Sequence, residues 1–258
     1  MTQITKKYEP KVYLAGECCF FSKTKEKFGG LSNMAGGFPL NVNGIAIKSS
    51  EALYQACRFP HLPDIQVQIL SEKSPMTAKM VSKPYREQTR PDWENEKVRI
   101  MRWCLKVKLA QNYWLFGKVL EETFDRTIVE ESNKDPFWGA IRNKKNKDEF
   151  VGVNALGRLL MELRQQYYEK RYDAAMFVVP PLQIPNFELM GQPIAVIDSR
   201  EYFSQFVRTS LHLRVKNEDF PSEENVIAPP VVLVKKQPKK KPIKSETIHR
   251  GEQGSLLL

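Results

Sequence analysis

Along the first 48 residues the apolar positions come in short runs, KVYLAG (11–16), CCFF (18–21) and NVNGIAIK (41–48), separated by glycine, asparagine and charge. Such runs predict short strands joined by loops. The period then changes. SSEALYQACRF (49–59) has helical spacing: Glu51, Tyr54, Gln55 and Arg58 fall at i, i+3, i+4 and i+7 on one face, while Leu53, Ala56, Cys57 and Phe59 take the rest. SPMTAKMVSK (74–83) predicts a second short helix, with Ser74 as its cap and Pro75 at its first position. The longest helical pattern runs from Asp92 to about Thr123, with Asp92 as a suitable N-cap and Glu94 and Glu96 at the positive end of the dipole. RTIVEES (126–132) predicts a strand and NKDPFWGAIRNKKNKDEF (133–150) a long charged loop. VGVNALGRLLMELRQQYYEKR (151–171) returns to a helical period, with Leu156, Leu159, Leu160 and Leu163 as its apolar stripe.

These elements predict an α+β fold for residues 1–172, predominantly helical with a small strand cluster. Composition shifts near Asp173, where β-branched residues, proline and phenylalanine become dense and Gly191-Gln192 suggests a turn between strands. Residues 173–234 are expected to form a small strand-containing appendage, and 235–258 a tail. The formal charge is +10, but KKQPKKKPIK (235–244) holds six lysines and no acid, which leaves 10 − 6 = +4 for the remainder. A lysine-proline run cannot bury apolar area, so disorder is expected there; it could steer the chain towards nucleic acid or an acidic partner, or simply keep it soluble. The longest apolar stretches are short and interrupted by proline, and the N-terminus has no apolar h-region, so no membrane association and a cytoplasmic location are expected.

The four cysteines contain no C-x-x-C pair and the three histidines are scattered, so neither a metal site nor a cofactor is expected. Any hydrolysis would then run through carboxylates, lysine and water. Several polar positions fit this chemistry without demanding it. FGGLSNM (28–34) places Ser32 and Asn33 after a Gly-Gly turn, and the face with Glu51, Tyr54 and Gln55 is either solvated or the lining of a pocket. Lys108 and Asn112 fall near the apolar stripe of the long helix, where a lysine stem could snorkel outwards. In GVNALG (152–157), Asn154 suits an N-cap, with Gly152 before it and Gly157 in the first turn; this is a plain capping turn or an anion site that lets a phosphate approach the helix amides.

The ordered set FGGLSN, SSEALYQACRF, TAK, RPDW, M…KVKLAQN, IVEES…DPFWG and GVNALGRLLMELR resembles the NADAR (YbiA-like) N-glycosidase family over residues of about 20–166. The resemblance implies cleavage of an N-glycosidic bond at ribose, and it turns the polar face at 49–59 into a pocket lining. Matched residue by residue, it implies catalytic roles for Glu51, Asp135, Lys79 and Trp93. Trp138 and Gly139 match beside Asp135; Ser32, Asn33, Tyr54, Gln55, Lys108, Asn112, Gly152, Asn154 and Gly157 join them as candidate substrate contacts. Arg58 and Ala140 depart from the pattern, which many members fill with lysine and glycine, and this blurs which base is accepted.

The expected reaction removes ADP-ribose from guanine in a nucleotide or nucleic acid, as an antitoxin or repair activity with an ADP-ribosyltransferase toxin as partner. The alternatives are a glycosidase of riboflavin-pathway ribosylamines, or a module that binds ADP-ribose without turnover. In the expected mechanism Glu51 transfers a proton near the sugar and Asp135 holds ribose hydroxyls or orients water. Lys79 offers a covalent route through a Schiff base, with Lys108 as the neighbouring cation that lowers its pKa.

Overall fold

A computed structural model describes residues 8–204 of the chain. The short apolar runs near the N-terminus form β1 (Lys11–Leu14) and β2 (Cys18–Phe21), then the hairpin β3 (Leu40–Val42) and β4 (Ile45–Ile47). Asn43 and Gly44, both at positive φ, make the hairpin turn, as an Asn-Gly pair between two apolar runs predicts. Six helices follow: α1 (Ser50–Ala56), α2 (Pro63–Ser71), α3 (Pro75–Ser82), α4 (Trp93–Gln111), α5 (Tyr113–Glu121) and α6 (Ala155–Glu169). Between the last two lie β5 (Thr127–Glu130), β6 (Ile141–Arg142) and β7 (Glu149–Gly152). β2 pairs with β5 in parallel, and the antiparallel order β1-β7-β6 forms a separate sheet. The fold is therefore α+β, with helices dominant.

Local chemistry explains where elements start and stop. The Ser49 hydroxyl accepts from the amide of Ala52 at 3.2 Å and opens α1. Ser74 and Thr77 form a reciprocal capping box at the start of α3, with Pro75 in its first turn. Three expectations need correction. The single helix expected from 92 to 123 is two helices, broken at Asn112, whose side-chain amide donates to the carbonyls of Pro39 (3.0 Å) and Lys108 (3.2 Å). Asp92 does not cap α4 with its side chain, because both its oxygens are taken by Arg90. Within the expected loop at 133–150 the chain pairs as β6 and enters β7, which ends at Gly152, so only the portion from Ala155 onwards is helical. The alternation in β7, Phe150 buried and Val151 exposed, is the period-two signal of a half-buried strand. α2 was not anticipated at all.

The larger of two apolar clusters runs through the described residues from Cys19 to Ile197, and a smaller one gathers Tyr13, Cys18, Val129, Ala140 and Phe150. The boundary expected at 172/173 does not separate two cores: Phe177, Val179, Phe187, Leu189, Ile194 and Ile197 lie in the same apolar cluster as α1 and α4. The strands β8 (Val178–Val179), β9 (Glu188–Leu189), β10 (Gln192–Pro193) and β11 (Ile197–Asp198) belong to this segment. It is pinned to the helices by polar contacts as well. The indole of Trp103 donates to Pro180 O at 2.9 Å, and Gln66 bonds both Glu188 O (3.1 Å) and the amide of Met190 (2.6 Å). The remainder of the expected appendage and the basic tail at 235–258 lie outside the described residues. No helix among the described residues is long and apolar enough to cross a membrane.

Candidate active site

The face of α1 that carries Glu51, Tyr54 and Gln55 points inward, with all three residues buried. A charged group in such a place demands partners. Glu51 has them: Oε2 accepts from Asn33 Nδ2 at 2.9 Å, and Oε1 accepts from Gln55 Nε2 at 2.9 Å. The loop at 29–34 reaches the same helix from its backbone, since the amide of Glu51 donates to Asn33 O at 3.0 Å. Gln55 is fixed in turn by the Ser82 hydroxyl, which donates to its Oε1 at 2.9 Å. These hydrogen bonds hold the Glu51 carboxyl in place beside α3. There Lys79 Nζ stands 3.9 Å from Glu51 Oε1, with the Glu51 side chain only 6% exposed and that of Lys79 51% exposed. Glu51 thus lies at the floor and Lys79 at the mouth of one small site.

Aromatic rings wall this site. Tyr54 meets Trp93 at 5.0 Å between ring centroids and Trp138 edge-on at 5.7 Å, and the Arg58 guanidinium lies 5.0 Å from the Trp93 ring centre. Trp93 is buried against Tyr54, while Trp138 is only half-buried. Burial pulls the Arg58 guanidinium below its ordinary range and pushes the Tyr54 hydroxyl well above its own.

Asp135, exposed, begins the turn that carries Trp138. Its Oδ1 accepts from the amides of Phe137 and Trp138, both at 3.0 Å, so the carboxylate caps its own turn. Glu130, at the end of β5, was absent from the expected residues. Its carboxyl is pushed up to about 7, first by burial and then by the charges of Glu51 and Asp135, while Lys79 pulls it down. These effects place Glu130 electrically among the residues already named. The signal in the sequence was the odd acid of IVEES at the end of a buried strand, but a strand-end acid ordinarily faces water.

The expected phosphate site at the start of α6 needs correction. The amides of Val153, Asn154, Ala155 and Leu156 donate to the carbonyls of Pro136, Gly139, Phe137 and Trp138, at 2.7–3.0 Å. The side chain of Asn154, fully buried, bonds Ile128 O (2.8 Å) and the amide of Glu130 (3.1 Å), and does not cap α6. These groups fasten the 135–139 turn to the end of β5, so they position Glu130 and Trp138 and do not bind an anion. The glycines serve the same fastening. A Cβ on Gly157 would stand 2.2 Å from Ile128 O, one on Gly139 2.4 Å from Glu130 O, and one on Gly152 2.6 Å from Gly139 O. Gly157→Val is therefore expected to destabilise the protein by about 3 kcal/mol, the upper end of overpacking costs. Chemical denaturation measures this, and an unchanged midpoint would contradict the packing role.

Lys108 is also corrected. It is fully buried, donates from Nζ to Gly30 O (2.8 Å) and Ser32 O (3.2 Å), and lies between the rings of Phe38 (4.3 Å) and Phe116 (4.1 Å). Burial pushes its ammonium well below the ordinary lysine range. It braces the loop that presents Asn33, with its Nζ bonded to those two carbonyls. Asn112 and Ser32 are likewise spent on backbone, Ser32 Oγ accepting from the amide of Met34 at 3.1 Å. The four cysteines are buried and free, and no group of three or more His, Cys, Asp or Glu side chains that could hold a metal occurs among the described residues.

The NADAR domain profile matches residues 19–167, which contain every residue of this site. The N-glycosidase YbiA of Escherichia coli is 33% identical over 146 residues, covering 57% of this chain and 86% of that protein. A riboflavin biosynthesis protein of Vibrio vulnificus is 30% identical over 190 residues, 71% of this chain but 49% of that protein. The chloroplastic riboflavin biosynthesis protein PYRR of Zea mays is 34% identical over 162 residues, 57% of this chain and 24% of its own length. This chain thus spans half or less of these two riboflavin relatives. The NMR structure of E. coli YbiA superposes with a TM-score of 0.52 at 29% identity, covering 62% of this chain and 90% of that one. Fold, motif order and matched span agree: the chain belongs to the NADAR domain family.

Proposed function

We propose that this chain is an N-glycosidase that cleaves the bond between ribose C1 and a base nitrogen, removing ADP-ribose from guanine in a nucleotide or nucleic acid. The Glu51–Lys79 pair carries this reading: an oriented, buried carboxyl within 3.9 Å of a lysine amine at the mouth of an aromatic-walled site. Breaking the C1–N bond develops positive charge on the sugar and negative charge on the base, so the site needs a carboxylate near C1 and a proton for the departing nitrogen. Asp135, at the ribose hydroxyls, supplies the first and Glu130 the second, while Glu51 is the base that takes a proton from Lys79. Lys79, after giving a proton to Glu51, attacks C1 with its lone pair as the base leaves with the proton from Glu130. Loss of the second Nζ proton and opening of the ribose ring, whose oxygen is protonated, give an imine. Water then adds to C1 and releases the sugar and the lysine. Asp135 holds ribose hydroxyls with its second carboxylate oxygen, and Trp138 packs on the base.

The cations Lys79 and Arg58 beside the site, and the net +4 outside the lysine run, suit a ligand with phosphates. A second reading, cleavage of a riboflavin-pathway ribosylamine, is favoured by the names of the Vibrio and maize relatives. Incubation with ADP-ribosylated guanosine monophosphate, with a ribosylaminopyrimidine in parallel, separates the two by chromatography. Release of free ADP-ribose is expected, and cleavage of the ribosylamine alone would overturn the ADP-ribose assignment. The same assay followed with pH checks Glu130. A proton donor titrating at about 7 makes the rate fall as pH rises through that value, and Glu130→Gln should lower the rate and remove this descent. A descent unchanged in Glu130→Gln would assign the proton to another group. The same upward shift means that Glu130 adds stability below the usual carboxylate range, and that this contribution is lost as pH rises towards about 7.

A further inference from the structure

The inner face of α3 is made by Ala78 and Ser82, both buried. Its outer face has no such cover: Met76, Lys79, Met80 and Lys83 fall at i, i+3, i+4 and i+7, and all four are exposed. Lys73 precedes this stripe and Arg86 follows it on the 3-10 turn Lys83–Gln88, both also exposed. Between Glu72 and Glu87 the chain carries no acid. Methionines 58% and 55% exposed, set between cations, are an uncommon surface. Their thioethers are polarisable and pack on flat faces, while the cations around them suit a row of phosphates. From the rises of an α-helix and a 3-10 helix the stripe is roughly 20 Å long, enough for about three successive phosphates of an extended strand. It also ends in the right place. Lys79 brings it to Glu51, and Arg86 is near enough to Arg58 to disfavour the charge of that guanidinium beside Trp93.

We propose that this face of α3 is the track for a single-stranded nucleic acid whose modified base enters the site at Lys79, with phosphates on Lys73, Lys83 and Arg86 and bases on Met76 and Met80. This rests on the glycosidase reading and narrows its substrate from a nucleotide to a polymer. A single strand is favoured because Glu51, on the floor of the site, is out of reach of a base still stacked in a duplex, which would first have to be flipped out at the cost of unpairing. The acids nearest the mouth, Glu51, Glu130 and Asp135, lie on the side of the sugar chemistry and not on the outer face of α3.

The test uses the full chain with Lys73→Ala, Lys83→Ala and Arg86→Ala combined, leaving Lys79 untouched. Wild type and variant both keep the lysines at 235–244, so any difference comes from α3. Fluorescence anisotropy with an unmodified single-stranded oligonucleotide across a salt series is expected to show at least about tenfold weaker binding. The slope of log affinity against log salt should be shallower by about 2, the release expected for three phosphates. On an ADP-ribosylated oligonucleotide kcat/KM should fall about tenfold, while on ADP-ribosylated guanosine monophosphate it should stay unchanged. An unchanged salt slope overturns the track, including in favour of a protein partner on this face. So does an equal fall on both substrates, which would put these cations inside the site. If wild type cleaves neither substrate, the ADP-ribosyl-guanine reading fails, yet the anisotropy still decides whether α3 binds the strand.

Discussion

Glu51→Gln is expected to keep the fold and lose about 10²-fold or more of the turnover rate, the range for a missing acid–base group. The carboxyl accepts two side-chain amide hydrogens, from Asn33 and from Gln55. A glutamine would turn one of those contacts into a donor facing a donor. The structure holds a remedy, because Asn33 Oδ1 is buried with no partner. Rotating the Asn33 amide by a half turn presents that oxygen to the new NH2, and the one buried amide atom left without a partner is then Nδ2 in place of Oδ1. The orientation of an amide is assigned from its hydrogen bonds, so the rotation requires no movement of the chain. The stability cost should therefore be about 1 kcal/mol or less, while the proton acceptor beside Lys79 is gone. Thermal melting and steady-state kinetics on one preparation check both halves. A variant with near wild-type kcat would remove Glu51 from the chemistry.

The elements with local causes were legible in the sequence. The Asn-Gly hairpin, the Ser49 and Ser74 caps and the strands at CCFF and RTIVEES each depend on neighbours a few residues away. What was not legible depends on distant chain. Asn154 looked like a cap because Gly-x-Asn before an apolar run is how caps look, yet its amide group is claimed by β5, 24 and 26 residues earlier. Lys108 looked ready to snorkel, but the carbonyls of Gly30 and Ser32 receive it inside the core. Glu130 was passed over because nothing local tells a half-buried strand-end acid from a wet one; the turn at 135–139, fastened to α6, makes the difference. The segment after Asp173 reads as a separate piece by composition, and only the packing of Phe177 and Phe187 against Tyr113 and Trp103 shows otherwise. For the site, the Glu51 face was legible as a helix face with too many polar groups, and Lys79 was legible only through its match to the family pattern.

Replacing Lys79 is the second large effect. Lys79→Arg keeps a positive charge at the mouth of the site but cannot attack carbon at neutral pH, so its rate should fall by about 10²-fold or more. Lys79→Ala should fall as far. In the proposed route Glu51 takes the proton that Lys79 must lose, so the two residues would act as a unit, and Glu51→Gln combined with Lys79→Ala should be no slower than the worse single variant. Independent, multiplying losses would mean that the two groups serve separate steps. Activity retained in Lys79→Arg would favour water, oriented by Asp135, as the nucleophile.

The most direct measurement traps the covalent sugar itself. Borohydride added during turnover of an ADP-ribosylated guanosine nucleotide reduces an imine at C1 to a stable secondary amine. Mass spectrometry of the digested protein should then find ADP-ribose on the peptide that contains Lys79, and none on the Lys79→Ala protein. Continued release of ADP-ribose with no labelled lysine, or a label that persists in Lys79→Ala, would contradict attack by Lys79 at ribose C1.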